Sequence, residues 1–487
     1  MKSLKFKIQN SIKLLCVFSL FCNAVFAQET PPAPSAPKAV SIPAVKEKKM
    51  SNGLTVAIVE RRTVPLVTVE LLVKSGAESE DSAKAGLANM TASLLTKGTK
   101  TRSATQIAEQ MEFLGASINT GAGWNNSVVI VNTMADKLDS AMAIMADVVL
   151  NPAFKQEEID LLKSQTLDGL NYNLKQPGFL ASYVASKYSF NEHPAGGTPE
   201  SIKSITRNDV VDFQAANFSP GNSVLIFTGD ITDAKANELA QKYFGNWNNQ
   251  FKSKVKANGT AATKSPSTIK RILVVDLPNS GQAAVNFSRN LQNISRMKQE
   301  YYFPASVLNS LLGGGYSSRL NQEIRIKRGL SYGAGSSFAW RGGYSNFGTR
   351  TQTKNESAAE VAELVTAEIK RLSDSSATAA ELTPRKSVLT GNFGRSLETT
   401  GGLAAAVADL YSFGLPTSEL NAYTKNVQAI SDAQIRQFAG ENLNGGDLII
   451  VGDYAIFKDD LAKRFPNMKI EVIKAAELDL QKLGAAN

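Results

Sequence analysis

The 487-residue chain carries a formal net charge of +9, two cysteines and one histidine, and each count removes a class of function. A lone histidine, His193, cannot supply a two-His zinc site or most histidine-dependent catalytic groups. The positive charge gathers into no arm or stripe of the kind that tracks nucleic acid, so no nucleic-acid partner is expected.

Residues 1–27 have the form of a secretory signal peptide. Lys2, Lys5, Lys7 and Lys13 precede an apolar run from Ile12 to Phe21, and Val25-Phe26-Ala27 is a small-residue cleavage site. The run is too short to span a bilayer, so no transmembrane span is expected and the protein is expected to be exported, to the periplasm. Cys16 and Cys22 both lie in this segment, which leaves the mature chain with no disulfide and no thiolate metal ligand. Removal of four lysines and no acid lowers the formal charge from +9 to +5. A Pro/Ala-rich leader, residues 28–47, is expected to be an extended tether, with structure beginning at Met50.

Asn52-Gly53 is a tight-turn dipeptide, and the β-rich runs Leu54–Glu60 and Val64–Val73 after it fit a hairpin or adjacent strands. Leu87, Met90, Leu94 and Leu95 recur at helical spacing, with Gly98 closing the segment. Asn89, Ala92 and Ser93 share one side of that helix, at the spacing an H-x-x-E-H zinc motif uses. None of the three can ligate zinc or act as a base. Ser103 to Gln106 is a capping box, followed by apolar positions Ile107, Met111 and Leu114 and a stop at Gly115. Strands are expected over Ser117–Trp124 and Ser127–Asn132, and a helix with Leu138, Met142, Met145 and Val149 ends at Asn151-Pro152. Glu157–Leu174 is a charged helix stopped before Pro177, and its acids Glu157, Glu158, Asp160 and Asp168 mark a solvated face. Helices alternating with strand pairs indicate an α+β fold.

An internal repeat divides the mature chain. Ile205–Val210 through Phe213 and Asn217-Phe218 recurs as Ile430–Ile435 through Phe438 and Asn442-Leu443, at an offset of 225. Each copy runs into an apolar strand ending in Gly-Asp, at Asp230 and at Asp453, and then into a helix, Ala234–Phe244 and Asp459–Phe465. The expected organisation is two similar halves, 48–250 and 269–480, joined by a polar linker, 251–268. In the second half, Gly313-Gly314-Gly315 lacks the Gly-Lys-Ser/Thr of a phosphate loop and is expected to be a flexible turn between helices. Arg325 and Tyr332 lie seven apart across the Gly329 break, a guanidinium suited to peptide carbonyls and a phenol suited to developing negative charge. From the residues alone, a structural or surface role for the pair stays open.

These segments resemble the pitrilysin/insulinase family of zinc metallopeptidases over nearly all of residues 48–475. The resemblance rests on Gly86-Leu87-Ala88 through Lys97-Gly98-Thr99, on His193-Pro194-Ala195-Gly196 with Gly197-Thr198-Pro199, on Gly229-Asp230, and on Ser318-Arg319-Leu320 through Arg325, Lys327–Leu330 and Tyr332. It implies a clamshell of two homologous halves, each with mixed or antiparallel sheets flanked by helices. The family's active halves have His at the position of Asn89, Glu at Ala92 and His at Ser93. A further Glu ligand 76 residues beyond falls on Gly169, and a supporting acid falls on Leu162. No zinc-site position is retained, so no metal is expected in this chain, and His193 is expected to be structural.

The family's Arg/Tyr pair, by contrast, is present as Arg325 and Tyr332. In bacterial members that divide the two roles between chains, one subunit bears H-x-x-E-H and the other only this pair. The resemblance therefore implies a non-catalytic subunit of a heterodimer, with zinc in the H-x-x-E-H-bearing partner and an unfolded peptide as substrate. Arg325 and Tyr332 would bind that substrate. The alternative is a peptide-binding or scaffold protein of the cell envelope with no part in any reaction.

Overall fold

The computed structural model describes residues 42–248 and 269–480, so the expected signal peptide and linker lie outside the described residues. The N-terminal half contains β1 (Lys46–Lys49), β2 (Thr55–Glu60), β3 (Leu66–Val73), α1 (Leu87–Leu94), α2 (Ala104–Phe113), β4 (Ser117–Ala122), β5 (Ser127–Met134), α3 (Leu138–Leu150), α4 (Gln156–Asn173), α5 (Pro177–Tyr188), α6 (Pro199–Ser204), α7 (Arg207–Asn217), β6 (Ser223–Gly229) and α8 (Asp233–Phe244). The C-terminal half contains β7 (Ile269–Asp276), β8 (Ala283–Gln292), α9 (Gln299–Leu312), α10 (Arg319–Asn321, continued by a π-helical turn, Gln322–Ile326), β9 (Ala334–Trp340), β10 (Tyr344–Thr353), α11 (Ala358–Asp374), α12 (Ala379–Ser396), α13 (Thr400–Ser412), α14 (Glu419–Ala429), α15 (Asp432–Asn442), β11 (Gly446–Gly452), α16 (Tyr454–Arg464) and β12 (Ile470–Lys474).

Each half builds a six-stranded mixed sheet, and the two orders correspond: β1-β2-β6-β3-β5-β4 and β12-β7-β11-β8-β10-β9. The repeat is thus a repeat of topology. Only the outermost strand differs, because β1 enters from the N-terminal side antiparallel to β2 and β12 enters from the C-terminal side parallel to β7.

Neither the hairpin nor the adjacent strands expected over residues 54–73 form. β6 inserts between β2 and β3, parallel to the first and antiparallel to the second. The reason is burial: every residue of β6 is buried, and its apolar run Val224–Phe227 gains most from a central position covered on both faces. Asn52-Gly53 instead turns β1 into β2, with Lys49 opposite Thr55. Ordered chain therefore begins before Met50. Ile42 is buried and its N–H donates to Asn421 Oδ1 at 3.1 Å, which ties the end of the leader to α14.

One face of each sheet is covered by that half's own helices. The other face is covered by a helix from the opposite half. Leu180, Ala181, Val184 and Ala185 of α5 pack on Leu273, Val275, Ala284, Ile449 and Val451 of the second sheet. Reciprocally, Leu403, Ala404, Val407 and Ala408 of α13 pack on Ala57, Leu72, Val224 and Ile226 of the first. Polar bonds pin the ends of α13: Thr400 Oγ1 meets Thr68 Oγ1 at 2.8 Å, and Asn126 Nδ2 donates to Ser412 Oγ at 2.9 Å. Burying one such Leu or Val side chain is worth about 1.5–3 kcal/mol, so the exchange binds the halves strongly. α5 begins with Pro177 at its first turn, where a missing N–H costs nothing.

Two local expectations are sharpened. The final helix starts at Tyr454, five residues before the expected Asp459. Gly313 serves close approach and not flexibility, since a Cβ there would sit 2.2 Å from the Ser336 nitrogen of β9. Ser336 N–H donates to the Gly313 carbonyl at 3.2 Å, which docks the turn on the sheet.

Candidate functional site

The helix α1 is built around its own N-terminus. The Glu80 carboxylate accepts the Gly86 N–H at 2.8 Å and the Ala88 N–H at 2.6 Å, which satisfies two of the donors an α-helix leaves free and sets negative charge at the positive end of the dipole. Gly86 itself stands at φ +93° with Gly197 and Ile202 closing over it, so only glycine fits this entry into the helix. Glu80 has a fully buried side chain, and His193 Nε2 lies 3.0 Å from its Oε1. Burial pushes the Glu80 carboxyl above the usual carboxylate range, and His193 and the two amides act against that shift. His193 is therefore a brace for the helix.

The brace extends across to the other half. The ring of Trp124, in the β4–β5 turn, lies 4.9 Å from that of His193, and the Arg341 guanidinium sits 4.8 Å over it. Arg341 Nε and Nη2 grip Glu192 at 2.8 and 2.9 Å, and Tyr344 Oη and Asn346 Nδ2 each donate to Glu192 Oε1 at 2.8 Å. Burial and the adjacent Glu192 push the Tyr344 phenol upward. A continuous set of contacts thus leads from the N-terminus of α1 to β10 of the second half. The sequence offered little sign of it. Glu80 and Arg341 stand outside any periodic pattern, and only the Trp124-Asn125-Asn126 turn and the Glu192-His193-Pro194 loop draw attention as local features.

On the helix so braced, Asn89 is exposed, Ala92 is fully buried and Ser93 is half-buried. Ser93 Oγ lies 3.4 Å from Asn89 Oδ1, a long contact between two weak ligands. Gly169 lies on α4, which packs against α1, and a Cβ added there would meet nothing within 4 Å. The space for a longer side chain is thus open, and no carboxylate enters it from that position. Leu162 is half-buried and packs against the core of the half. These residues offer no imidazole, carboxylate or thiolate, so the donor set does not fit zinc. Among the described residues no group of three or more His, Cys, Asp or Glu could hold a metal ion.

Arg325 and Tyr332 occupy a different setting. Arg325 lies in the π-helical turn after α10, a departure from α-helical geometry that often accompanies functional sites. Its guanidinium stacks 4.9 Å over the ring of Tyr316. Gly329, at φ +66°, ends the segment, and Tyr332 stands 91% exposed before β9. Among the described residues, no hydrogen bond, ion pair or ring contact joins either side chain to the Asn89–Ser93 face. The chain supplies a stacked Arg and an exposed phenol in this segment.

Two mixed six-stranded sheets with exchanged covering helices, and a metal-type helix in the first half, define the class. The N-terminal half matches the model of "Insulinase (Peptidase family M16)" over residues 55–186, and the following segment matches "Peptidase M16 inactive domain" over residues 204–389. The chain belongs to this family, peptidase family M16.

The chain is 24% identical over 399 residues to the "Non-peptidase homolog YmxG" of Helicobacter pylori, covering 80% of this chain and 89% of that one. An "Uncharacterized zinc protease" of Rickettsia bellii is 28% identical over 292 residues, 59% of this chain and 68% of the relative. A crystal structure of a peptidase M16 inactive domain from Pseudomonas fluorescens superposes with a TM-score of 0.75 at 25% identity, covering 84% of this chain and 98% of that one.

Proposed function

We propose that the protein is an exported, periplasmic, non-catalytic subunit of a zinc metallopeptidase. It binds an unfolded peptide and completes the active site of a homologous partner that carries H-x-x-E-H and the zinc. The observation that carries this reading is the contrast at the two sites: Asn89, Ala92, Ser93 and Gly169 offer no ligand, whereas Tyr332 is 91% exposed and the Arg325 guanidinium stacks over Tyr316 with no ion pair among the described residues. Exposure leaves the Tyr332 hydroxyl free to donate to a docked peptide. A match to an inactive-domain model and similarity to a relative named a non-peptidase homologue point the same way. In the assembled site Arg325 would grip a main-chain carbonyl of the substrate, and Tyr332 would donate to the oxygen on which negative charge develops.

The test is reconstitution. The purified chain holds no stoichiometric zinc by elemental analysis and cleaves no unfolded peptide. Mixed with an H-x-x-E-H-bearing partner subunit it restores cleavage, and Arg325→Ala or Tyr332→Phe lowers kcat by about tenfold or more while the heterodimer still forms. Wild-type turnover in both variants would remove the pair from the reaction and leave a scaffold role.

A further inference from the structure

A cavity open to solvent lies in the C-terminal half, and neither group of residues just described lines it. It has a volume of about 360 Å3 and is lined by the approach to α9 and by α9, α12, α13 and α14. That volume falls at the lower end of the range typical of small-molecule sites, about 300–1,000 Å3. Three aromatic rings form its walls: Tyr302, and the stacked pair Phe393 and Tyr423, whose centroids are 4.2 Å apart.

Its charged groups are one guanidinium and two carboxylates, with Asn392 and Ser396 as further polar lining. Arg296 Nη1 bonds Glu419 Oε1 at 2.8 Å, and both side chains are almost wholly buried, at 5% and 2% exposure. Arg296 Nε also lies 3.6 Å from Asp409 Oδ2, whose side chain is half exposed at the rim. The guanidinium stacks 3.7 Å over the Tyr302 ring, so that face is already taken. Two buried polar atoms here have no hydrogen-bond partner, the acceptor Glu419 Oε2 and the donor Arg296 Nε. An ionised carboxylate oxygen left without a donor in a nearly dry setting is costly, and a structure retains one where something else supplies the donor. Burial raises the Asp409 carboxyl, an effect Arg296 opposes and Glu419 adds to; with both acids ionised, Asp409 and Glu419 against Arg296 leave one negative charge in excess.

We propose that this cavity binds a small organic monocation, an ammonium or amidinium group on an apolar body. The cationic head donates to Glu419 Oε2 and is held by Asp409 at the rim. The apolar body lies against Phe393 and Tyr423, whose ring faces also attract the positive charge. The site lies where α13 and α14 also contact the N-terminal half through Leu403, Leu410 and Leu420, so an occupant reinforces the seam between the halves.

Benzylammonium is a suitable probe, with benzyl alcohol and benzoate as neutral and anionic counterparts of the same shape. Calorimetric titration of the intact protein is expected to show saturable binding of benzylammonium, with both counterparts weaker by about tenfold or more. Glu419→Gln strips Arg296 of its ion pair and risks unfolding, so two rim variants carry the test. Asp409→Asn is expected to weaken benzylammonium by about three- to tenfold, and Ala406→Phe, which fills the cavity from its α13 wall, to abolish it. Equal affinity for the three probes, tighter binding of benzoate, binding that survives Ala406→Phe, or no heat up to about 10 mM benzylammonium would each overturn the proposal.

Discussion

Two regions of the molecule are held in opposite ways. Around α1 the support is dense: Glu80 caps the helix, His193 backs Glu80, Trp124 backs His193, and Arg341 ties the set to the second half. Around Arg325 and Tyr332 the support is slight, a stacking contact and an exposed loop. The α1 region is held by the demands of the fold, because its braces also join the halves. The Arg325 and Tyr332 side chains meet few such demands, so substituting them should cost the fold little.

That contrast can be broken in order of expected effect. Arg341→Ala leaves Glu192 buried without its main counter-charge and should cost about 3–5 kcal/mol in urea unfolding. A loss below about 1 kcal/mol would mean that the brace is incidental. Glu70, on β3 in the seam beneath α13, tests the opposite case, a buried acid with no counter-charge. Burial raises its carboxyl from 4.5 to about 7. The folded state therefore keeps a proton that the unfolded chain releases, and the penalty on folding grows as pH rises from 4.5 to about 7 and is constant above it. Glu70→Gln should raise the melting temperature at pH 8, by no more than the equivalent of about 3 kcal/mol, and leave it unchanged near pH 4.5. The reverse pH trend would refute the buried, unpaired setting.

Smaller effects probe the emptied site directly. Gly169→Ala enters open space on a helix and should stabilise by about 0.5–1 kcal/mol, because nothing in the fold asks for glycine there. Destabilisation would show that the gap has a structural use. Tyr332→Phe should change stability by less than about 0.5 kcal/mol, as expected of a side chain that the fold does not use.

Much of this architecture was legible in the sequence where local rules decide the outcome. The capping box at Ser103 and Gln106 forms as expected, and the helices of the repeat, α7 and α15, lie at the same offset of 225. The family resemblance, through its spacing, singles out Asn89, Ala92, Ser93 and Gly169, and the structure shows that none of them brings a carboxylate or imidazole to α1. What local rules do not encode is insertion. Nothing in Leu54–Val73 says that a strand from residue 223 onward will separate its two runs. The exchanged helices α5 and α13 escaped notice for a related reason. Leu180, Ala181, Val184 and Ala185 form a recognisable apolar stripe, but their target is the sheet of the other half, which sequence order does not reveal. The Glu80–His193–Trp124–Arg341 brace joins residues from four separate segments, and only the folded chain brings them together.

The exchange of α5 and α13 also bears on how such a molecule is made and taken apart. Each half lends the other a helix that its own sheet lacks, so neither half, made alone, would bury both faces of its sheet. A protease that cut between residues 248 and 269 would sever the backbone without separating the pieces, since each fragment would still hold the other's helix. The two halves would have to be synthesised together, or mixed while unfolded, to reach the native state. Interchanging halves between related chains would succeed only where the borrowed helix and its host sheet were carried over as a matched pair.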